Sequence, residues 1–309
     1  MFQEYALEPE LVATWGKREN YRVFAREFGI GSARLVAQYP KRWAKRVWDS
    51  AHACEGKDRT RLEILLRQID SISVRRQGSV FDDSNGSSWM ENAAIENARL
   101  PFHAILATAN PTGSAHVLVG DNVDEHTPLW DCARGIIVPR QATQMAAAIG
   151  VLLRYAQEIV LVDPYMSPSA ARRKIDALRA FLTAIAAGRG DRPPRRVEVQ
   201  MLESVGGAAE DFPTNCQSRA RDIPHGLVVR FVRWRERDGG LRFHNRYILT
   251  ELGGVQFAHG LDEGQPGEED DITLLDKGQF DRRWDQYCGS APAFDLSDPP
   301  VEVTGTRRR

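Results

Sequence analysis

His244 and Arg246 lie two positions apart in a string, residues 243–251, that mixes apolar and polar side chains. In an extended strand, side chains alternate between two faces, so this spacing places both residues on one face. A guanidinium offers a planar fork of donors to phosphate oxygens, and an imidazole can serve as nucleophile or proton carrier. The pair therefore predicts a phosphate site on a strand. The alternative is an exposed strand edge whose polar residues are incidental.

Positive charge is concentrated in residues 17–76, which contain 15 Lys and Arg against 7 Asp and Glu, whereas the whole chain has 41 against 42. Aromatic residues are interleaved with the basic ones. This combination is typical of a surface that binds nucleic acid or phosphate, although a solvated helix face over an aromatic core has the same pattern. We predict nucleic-acid contacts at Lys41, Arg42, Lys45 and Arg46.

Negative charge is concentrated in residues 262–285, with 9 Asp and Glu against 3 Lys and Arg. The first part of this segment has the composition of a loop. We interpret it as a solvated surface turn, and oxygen ligation of a divalent cation is the alternative. No metal site is predicted.

The elements that must position His244 and Arg246 follow from residue 143 onward. Apolar residues at helical spacing alternate there with short apolar or alternating runs, an order that favours an α/β domain with parallel strand pairs. The predicted strands are 158–162, 196–202, 227–234, 243–250 and 254–258, and the predicted helices are 143–153, 169–187, 210–222 and 280–287.

The first half of the chain has a different pattern. We predict a basic, mostly helical module over residues 1–77. A linker and a small β-rich segment with a hairpin of 104–108 and 115–119 follow over residues 78–140. The remaining divisions are a domain over 141–292 and a flexible C-terminal tail over 293–309.

Composition places the chain among globular proteins, since 42% of its 309 residues are hydrophobic and 27% are charged. No apolar run approaches the ~20 residues of a membrane span, and the acidic start does not resemble a signal peptide. The four cysteines are scattered, which disfavours disulfides and structural zinc. These features predict a cytoplasmic protein.

Three strings together resemble the phospholipase D superfamily, whose signature is H-x-K-x4-D: Asp163-Pro164-Tyr165, HNRYILTE and GGVQFAHGLDEG. His244 matches the histidine, Arg246 stands in place of the lysine, and Glu251 stands in place of the aspartate. The closer resemblance, over residues 143–289, is to the phospholipase D-like C-terminal domain of MIT-domain abscission proteins. That domain carries an H-D-R string and a later G-L-D string, which Gly260-Leu261-Asp262 resembles. The resemblance implies a mixed sheet flanked by helices.

The resemblance also implies a requirement, because phospholipase D-type enzymes use two histidines around one phosphorus. One attacks the phosphorus and the other protonates the leaving group. This chain has one such motif. The second histidine could come from a symmetric partner subunit or from His259, which could instead bind an anion.

Two functions stay open. The first is a phosphodiesterase, most plausibly a nuclease, in which His244 attacks, Arg246 holds phosphate oxygens, Glu251 orients a basic or imidazole group and no metal or cofactor is needed. The second is a catalytically inactive phosphate-binding or assembly subunit. The expected partners are nucleic acid or another phosphate-bearing ligand, within a homo-oligomer or a multi-protein complex. A prokaryotic system directed against foreign DNA is the expected setting, by analogy alone.

Overall fold

A computed structural model of the chain describes residues 1–84, 86–124, 126–169, 172–190 and 192–307. The chain divides into two compact units, Phe2–Ala133 and Arg134–Arg309. Each unit combines a β-sheet with helices, which confirms the predicted α/β class. Within the described ranges, no helix is long and apolar enough to cross a membrane.

The first unit is built around a five-stranded sheet in which all neighbouring strands are parallel. Its strands are β1 (Gln3–Leu7), β2 (Arg34–Ala37), β3 (Ser73–Val74), β4 (Ala104–Ala107) and β5 (Val117–Val119). They lie in the order β3-β2-β1-β4-β5. Its helices are α1 (Pro9–Ala13), α2 (Arg18–Phe24), α3 (Trp43–Ser50), α4 (Gly56–Asp70) and α5 (Trp89–Arg99).

This unit differs from the sequence prediction in two respects. Residues 1–77 supply three strands as well as helices, and they share one sheet with β4 and β5, so no domain boundary falls at residue 77. The predicted hairpin is also corrected, because β4 and β5 pair in parallel, with Ile105 opposite Val117. Strands of a parallel sheet are covered on both faces, so they are apolar at consecutive positions and lack the alternation that identifies a strand.

Part of the positive charge of residues 17–76 is internal. Arg34 is buried, 3.0 Å from a carboxylate oxygen of Glu27 and with its guanidinium carbon 4.2 Å from the centre of the Trp130 ring. Arg76 is buried as well and pairs with the buried Glu96 at 2.9 Å. These two arginines stabilise the unit and are not available to a partner.

The second unit contains one mixed sheet. Its strands are β6 (Gly135–Pro139), β7 (Glu158–Val162), β8 (Arg196–Leu202), β9 (Val228–Arg235), β10 (Arg246–Thr250), β11 (Gly253–Phe257), β12 (Glu269–Leu274), β13 (Asp295–Leu296) and β14 (Val301–Thr304). The order is β13-β9-β8-β7-β10-β11-β12-β6, and β14 also pairs with β9. The helices are α6 (Ala142–Ala148), α7 (Gly150–Tyr155), α8 (Arg172–Ala186), α9 (Phe212–Gln217) and α10 (Lys277–Cys288).

Four of the predicted runs become adjacent strands of this sheet. β7, β8 and β9 are parallel and are joined through α8 and α9, and β10 runs antiparallel beside β7. β7 and β8 have the predicted bounds, whereas β10 starts three residues later than predicted. Residues 170 and 171 of the predicted helix 169–187 lie outside the described residues.

The predicted flexible tail forms part of the sheet. β13 and β14 pair with β9 along its outer side, and Phe294 and Val303 are buried. Both strands are too short to stand out by periodicity, and an edge strand gains its order from the neighbour it pairs with. Residues 308 and 309 of the predicted tail lie outside the described residues.

Candidate functional site

Along one edge of the sheet in the second unit, where the strands begin or end, the ends of four neighbouring strands lie side by side. Because antiparallel neighbours run in opposite directions, β7 and β11 end where β10 and β12 begin. The last pairs at this edge are Val162 with Tyr247 and Phe257 with Arg246. Residues just outside these strand ends therefore lie close to one another. They include Asp163, His244 and His259, one from each of the three strings described above.

Arg246 is the first residue of β10, and His244 lies two residues before the strand. The alternation argument for a common face therefore does not extend to His244. The Arg246 guanidinium carbon lies 5.8 Å from the centre of the Tyr165 ring. Its Nε is buried and has no hydrogen-bond partner in the part of the chain that the structure describes. A phosphate oxygen would satisfy this donor.

The backbone next to His244 is held in place although its imidazole is exposed. Phe243 is buried, and its N–H donates a hydrogen bond of 2.8 Å to the Glu236 carboxylate. Arg242 donates to the same carboxylate. The hydrogen bonds from Arg242 and Phe243 lower the pKa of Glu236, so the carboxylate stays charged at neutral pH and closes the turn before His244.

His259 is paired with a buried carboxylate. Its Nδ1 lies 3.3 Å from Oδ1 of Asp270, a residue that is 1% exposed, while the imidazole itself is 58% exposed. The same Oδ1 accepts the N–H groups of Ala258 at 3.0 Å and His259 at 3.1 Å. A carboxylate at Nδ1 fixes the tautomer and orientation of a histidine and leaves Nε2 for chemistry.

The two histidines leave neighbouring ends of paired strands. Arg246 is opposite Phe257, so extending this register by two residues would bring His244 opposite His259. Beyond Phe257 the chain turns towards β12, because the N–H of Ala258 donates to Asp271 O and to the Asp270 carboxylate and the N–H of His259 donates to the same carboxylate. One chain thus brings two imidazoles to one edge.

The string Asp163-Pro164-Tyr165 follows β7 at the same edge of the sheet. Asp163 is 3% exposed, and its two carboxylate oxygens accept the N–H groups of Tyr165 at 2.8 Å and Leu261 at 3.0 Å. A methyl group built on Gly260 would lie 2.7 Å from Oδ1 of Asp262. Asp163 therefore holds the loop after His259 in place. Because Gly260 has no side chain, the Asp262 carboxylate can lie close to the backbone at residue 260.

Glu251 is not part of this group. It follows β10 at the opposite end from Arg246, and five residues of extended chain span about 17 Å. Its carboxylate accepts the N–H groups of Gln157 at 2.6 Å and Glu158 at 2.9 Å, and burial raises the pKa of Glu251. The structure thus gives Glu251 a structural role at the start of β7, where we predicted a role beside His244.

The acidic loop, which is the first part of the acidic segment and covers residues 262–268, is held by hydrogen bonds to neighbouring residues. Arg140 donates to Asp262 at 2.8 Å and to Glu268 at 3.1 Å, and Glu263 accepts the N–H of Ala142 at the start of α6. Among the described residues, no group of three or more His, Cys, Asp or Glu could hold a metal ion. Hydrogen bonds therefore hold this turn in place, and the single charge of Arg140 offsets part of its negative charge.

Asp270 and Asp163 are the members of this site that sequence reasoning missed as functional residues. Side chains alternate between the two faces of β12, and Asp270 lies on the buried face together with Ile272 and Leu274. A carboxylate on the buried side of a strand needs a partner, and that pattern is the signal that could have identified Asp270. This pattern is hard to recognise in the sequence because Asp270 belongs to a run of four acidic residues that begins at Glu268.

The four basic residues predicted to contact nucleic acid line one cleft of about 880 Å³ in the first unit. They follow β2 and continue into α3, whose buried side is formed by Trp43 and Val47. The group combines two residues that immediately precede α3 with two residues of its first turn. Its members are Lys41, Arg42, Lys45 and Arg46.

Two of these cations are already paired. Lys45 lies 2.7 Å from a carboxylate oxygen of Asp49, and Arg46 pairs with Asp83. Lys41 and Arg42 make no ion pair within the described part of the unit. They carry the positive charge of the cleft that is available to a ligand.

The chain was compared with family models, curated proteins and solved structures. No family model matches the sequence, and no curated protein matches it. The chain is similar to one solved structure, TrmBL2, an archaeal chromatin protein described with a novel mode of DNA binding. The two chains are 11% identical with a TM-score of 0.24, and the match covers 56% of this chain and 57% of TrmBL2. The matched region therefore spans little more than half the length of that protein.

Proposed function

We propose that the protein binds phosphodiesters at the edge formed by β7, β10, β11 and β12, and that it acts there as a phospholipase D-type phosphodiesterase. The observation that carries the proposal is the presence of two histidines, His244 and His259, at neighbouring strand ends of one chain. Phosphoryl transfer through a histidine needs both a nucleophile and a proton donor. A single chain can supply both, so the proposed mechanism does not require a second subunit to complete the site.

The proposed reaction has two steps. An imidazole nitrogen of His244 attacks phosphorus, an N–P bond forms, and the P–O bond to the leaving group breaks as His259 donates a proton to that oxygen. In the second step His259 removes a proton from water, which attacks phosphorus and releases His244. Arg246 binds the non-bridging oxygens in both steps, and Asp270 keeps the His259 ring in the orientation that leaves Nε2 to exchange the proton.

The substrate class that we propose is nucleic acid. The acidic loop beside the edge opposes a polyanion less than its composition implies, because Arg140 pairs with Asp262 and Glu268 and offsets one of their two negative charges. A nucleic acid presents phosphodiesters at regular spacing, and binding would weaken as salt increases. An action within a multi-protein system and an oligomeric state stay predictions.

The test compares wild type with His244→Ala and His259→Ala on single-stranded DNA, duplex DNA, RNA and a generic phosphodiester, with EDTA present. We expect His259→Ala to reduce the rate by a factor of about 10²–10⁴, the usual contribution of general acid–base catalysis. His244→Ala should reduce it at least as much, because the nucleophile is lost. His225→Ala is the matched control, since His225 is exposed and precedes β9 at the opposite edge of the sheet. Cleavage that survives His244→Ala, or that disappears with EDTA, contradicts the mechanism.

A second candidate is a phosphate-binding module without catalysis. It is favoured by Arg246, which stands where the family signature has lysine and whose guanidinium packs on Tyr165. Arginine binds phosphate oxygens in pairs but differs from lysine in geometry at the attacked atom. Phosphate-dependent chemical-shift changes at His244 and His259 without turnover of any substrate would identify this function.

A further inference from the structure

We propose that the cleft beside α3 binds a compact phosphate ester of nucleotide size. This site belongs to the first unit and is independent of the function proposed for the second. The cleft lies at the carboxyl ends of neighbouring parallel strands, since Tyr39 and Pro40 follow β2 and Glu10 belongs to α1, which follows β1.

The charge in the cleft favours an anionic group at one end. Lys41 and Arg42 are exposed and unpaired within the described residues, and they immediately precede α3. No side chain caps the N-terminus of that helix. Two neighbouring cations and uncapped N–H groups together provide directed donors for a phosphate.

The walls of the cleft are held in place before any ligand arrives. The Arg46 guanidinium carbon lies 4.5 Å from the centre of the Phe81 ring, which packs edge-on against Tyr39 at 5.5 Å. The side chain of Asn92 accepts the N–H of Asp82 at 2.7 Å and donates to its carbonyl at 3.2 Å. The loop around Phe81 is therefore fixed to α5, so a ligand does not have to order this wall.

Size and the distribution of acidic groups favour a compact ligand over a polymer. A volume of about 880 Å³ lies within the roughly 300–1,000 Å³ of small-molecule sites. Glu10 also lines the cleft and has no ion pair among the described residues, so it can accept hydrogen bonds from hydroxyl or amino groups. A nucleoside phosphate carries both kinds of group, whereas a continuous phosphate backbone would pass close to this carboxylate.

The test is calorimetric titration of the full chain with pyrophosphate, a nucleoside monophosphate, a nucleoside triphosphate and a single-stranded oligonucleotide. We expect the nucleotides to bind and the double variant Lys41→Ala, Arg42→Ala to weaken them by at least about tenfold, the effect of losing a hydrogen bond to a charged group. The control is Lys17→Ala, Arg18→Ala, an exposed Lys-Arg pair outside the cleft. It should bind as wild type does.

A second variant tests the acidic end of the cleft. Glu10→Gln should weaken the nucleotides but not pyrophosphate, because pyrophosphate has no hydroxyl or amino groups for Glu10 and the substitution removes a repulsive charge. His244→Ala should bind nucleotides normally, so failure here and failure of the proposed phosphodiesterase are distinguishable. The proposal is overturned if no nucleotide binds, if only the oligonucleotide binds, or if both Lys-Arg double variants weaken binding equally.

Discussion

Asp270→Asn tests whether one buried carboxylate organises the candidate site. Oδ1 of Asp270 accepts two backbone N–H groups, those of Ala258 and His259, and lies 3.3 Å from Nδ1 of the His259 ring. Its Oδ2 is buried and has no partner among the described residues. Asparagine keeps the shape of the side chain but removes its charge. The substitution therefore isolates the electrostatic role of Asp270 from its packing.

The expected size of the effect follows from these contacts. Hydrogen bonds to a charged group contribute about 1.5–3 kcal/mol and neutral ones about 0.5–1.5 kcal/mol, so each of the two backbone bonds should weaken by about 1 kcal/mol. A total near 2 kcal/mol lowers Tm by about 4–8 °C in a unit of roughly 150–250 residues. If the chain is a phosphodiesterase, the rate should also fall by about 10²-fold or more, because His259 loses its fixed tautomer.

The measurements are thermal unfolding of the full chain at pH 7 and the nitrogen chemical shifts of the His259 imidazole. Asp271→Asn is the matched control, because Asp271 is the next residue of β12 and is exposed. We expect a lower Tm and an altered tautomer signal for Asp270→Asn alone. Equal Tm values for the two variants, together with an unchanged His259 spectrum, would refute the assignment of Asp270 as the residue that positions His259.

Two further predictions concern stability. Burial lowers the pKa of His103 from its ordinary 6.5, so the unfolded state takes up the proton first as pH falls, and stability of the first unit should decline below about pH 6.5. His103→Gln should flatten that decline in melts from pH 5 to 8, and an unchanged pH profile would contradict this. Phe294→Ala should cost about 3–5 kcal/mol, because the Phe294 ring packs 5.0 Å from that of Phe243. Leu296→Ala, at a position 47% exposed, should change stability by less than about 0.5 kcal/mol, and similar denaturant midpoints for the two variants would contradict the packing.

The α/β class and the four central strands of the second unit could be predicted from the sequence. The strand Glu158–Val162 is apolar at every position after its first residue and is followed by Asp163 and Pro164, and Arg196–Leu202 alternates, so both strands could be predicted with their observed bounds. The His-x-Arg spacing also predicted a phosphate site at the start of β10, and that site stays a prediction. The strand assignments succeed because burial and alternation are properties of a residue and its immediate neighbours.

Other features depended on which segments pair. Residues 1–77 were predicted to be mostly helical because their strands are short and buried on both faces. The parallel pairing of these strands joins residues up to about a hundred positions apart, such as Tyr5 and Ala104. Glu251 was assigned to the site from its spacing in the motif alone. An extended strand instead carries it to the opposite edge from His244.

The sequence by itself determined the chemical types present, an imidazole and a guanidinium two positions apart and a cluster of cations in residues 17–76. Tertiary structure decided which of them act together. The register of β10 with β11 brings His259 to the edge where His244 lies, β12 supplies Asp270, and the loop around Phe81 completes the cleft beside Lys41. Periodicity reports which side of an element is buried, whereas the partner that buries it is set by long-range pairing and packing.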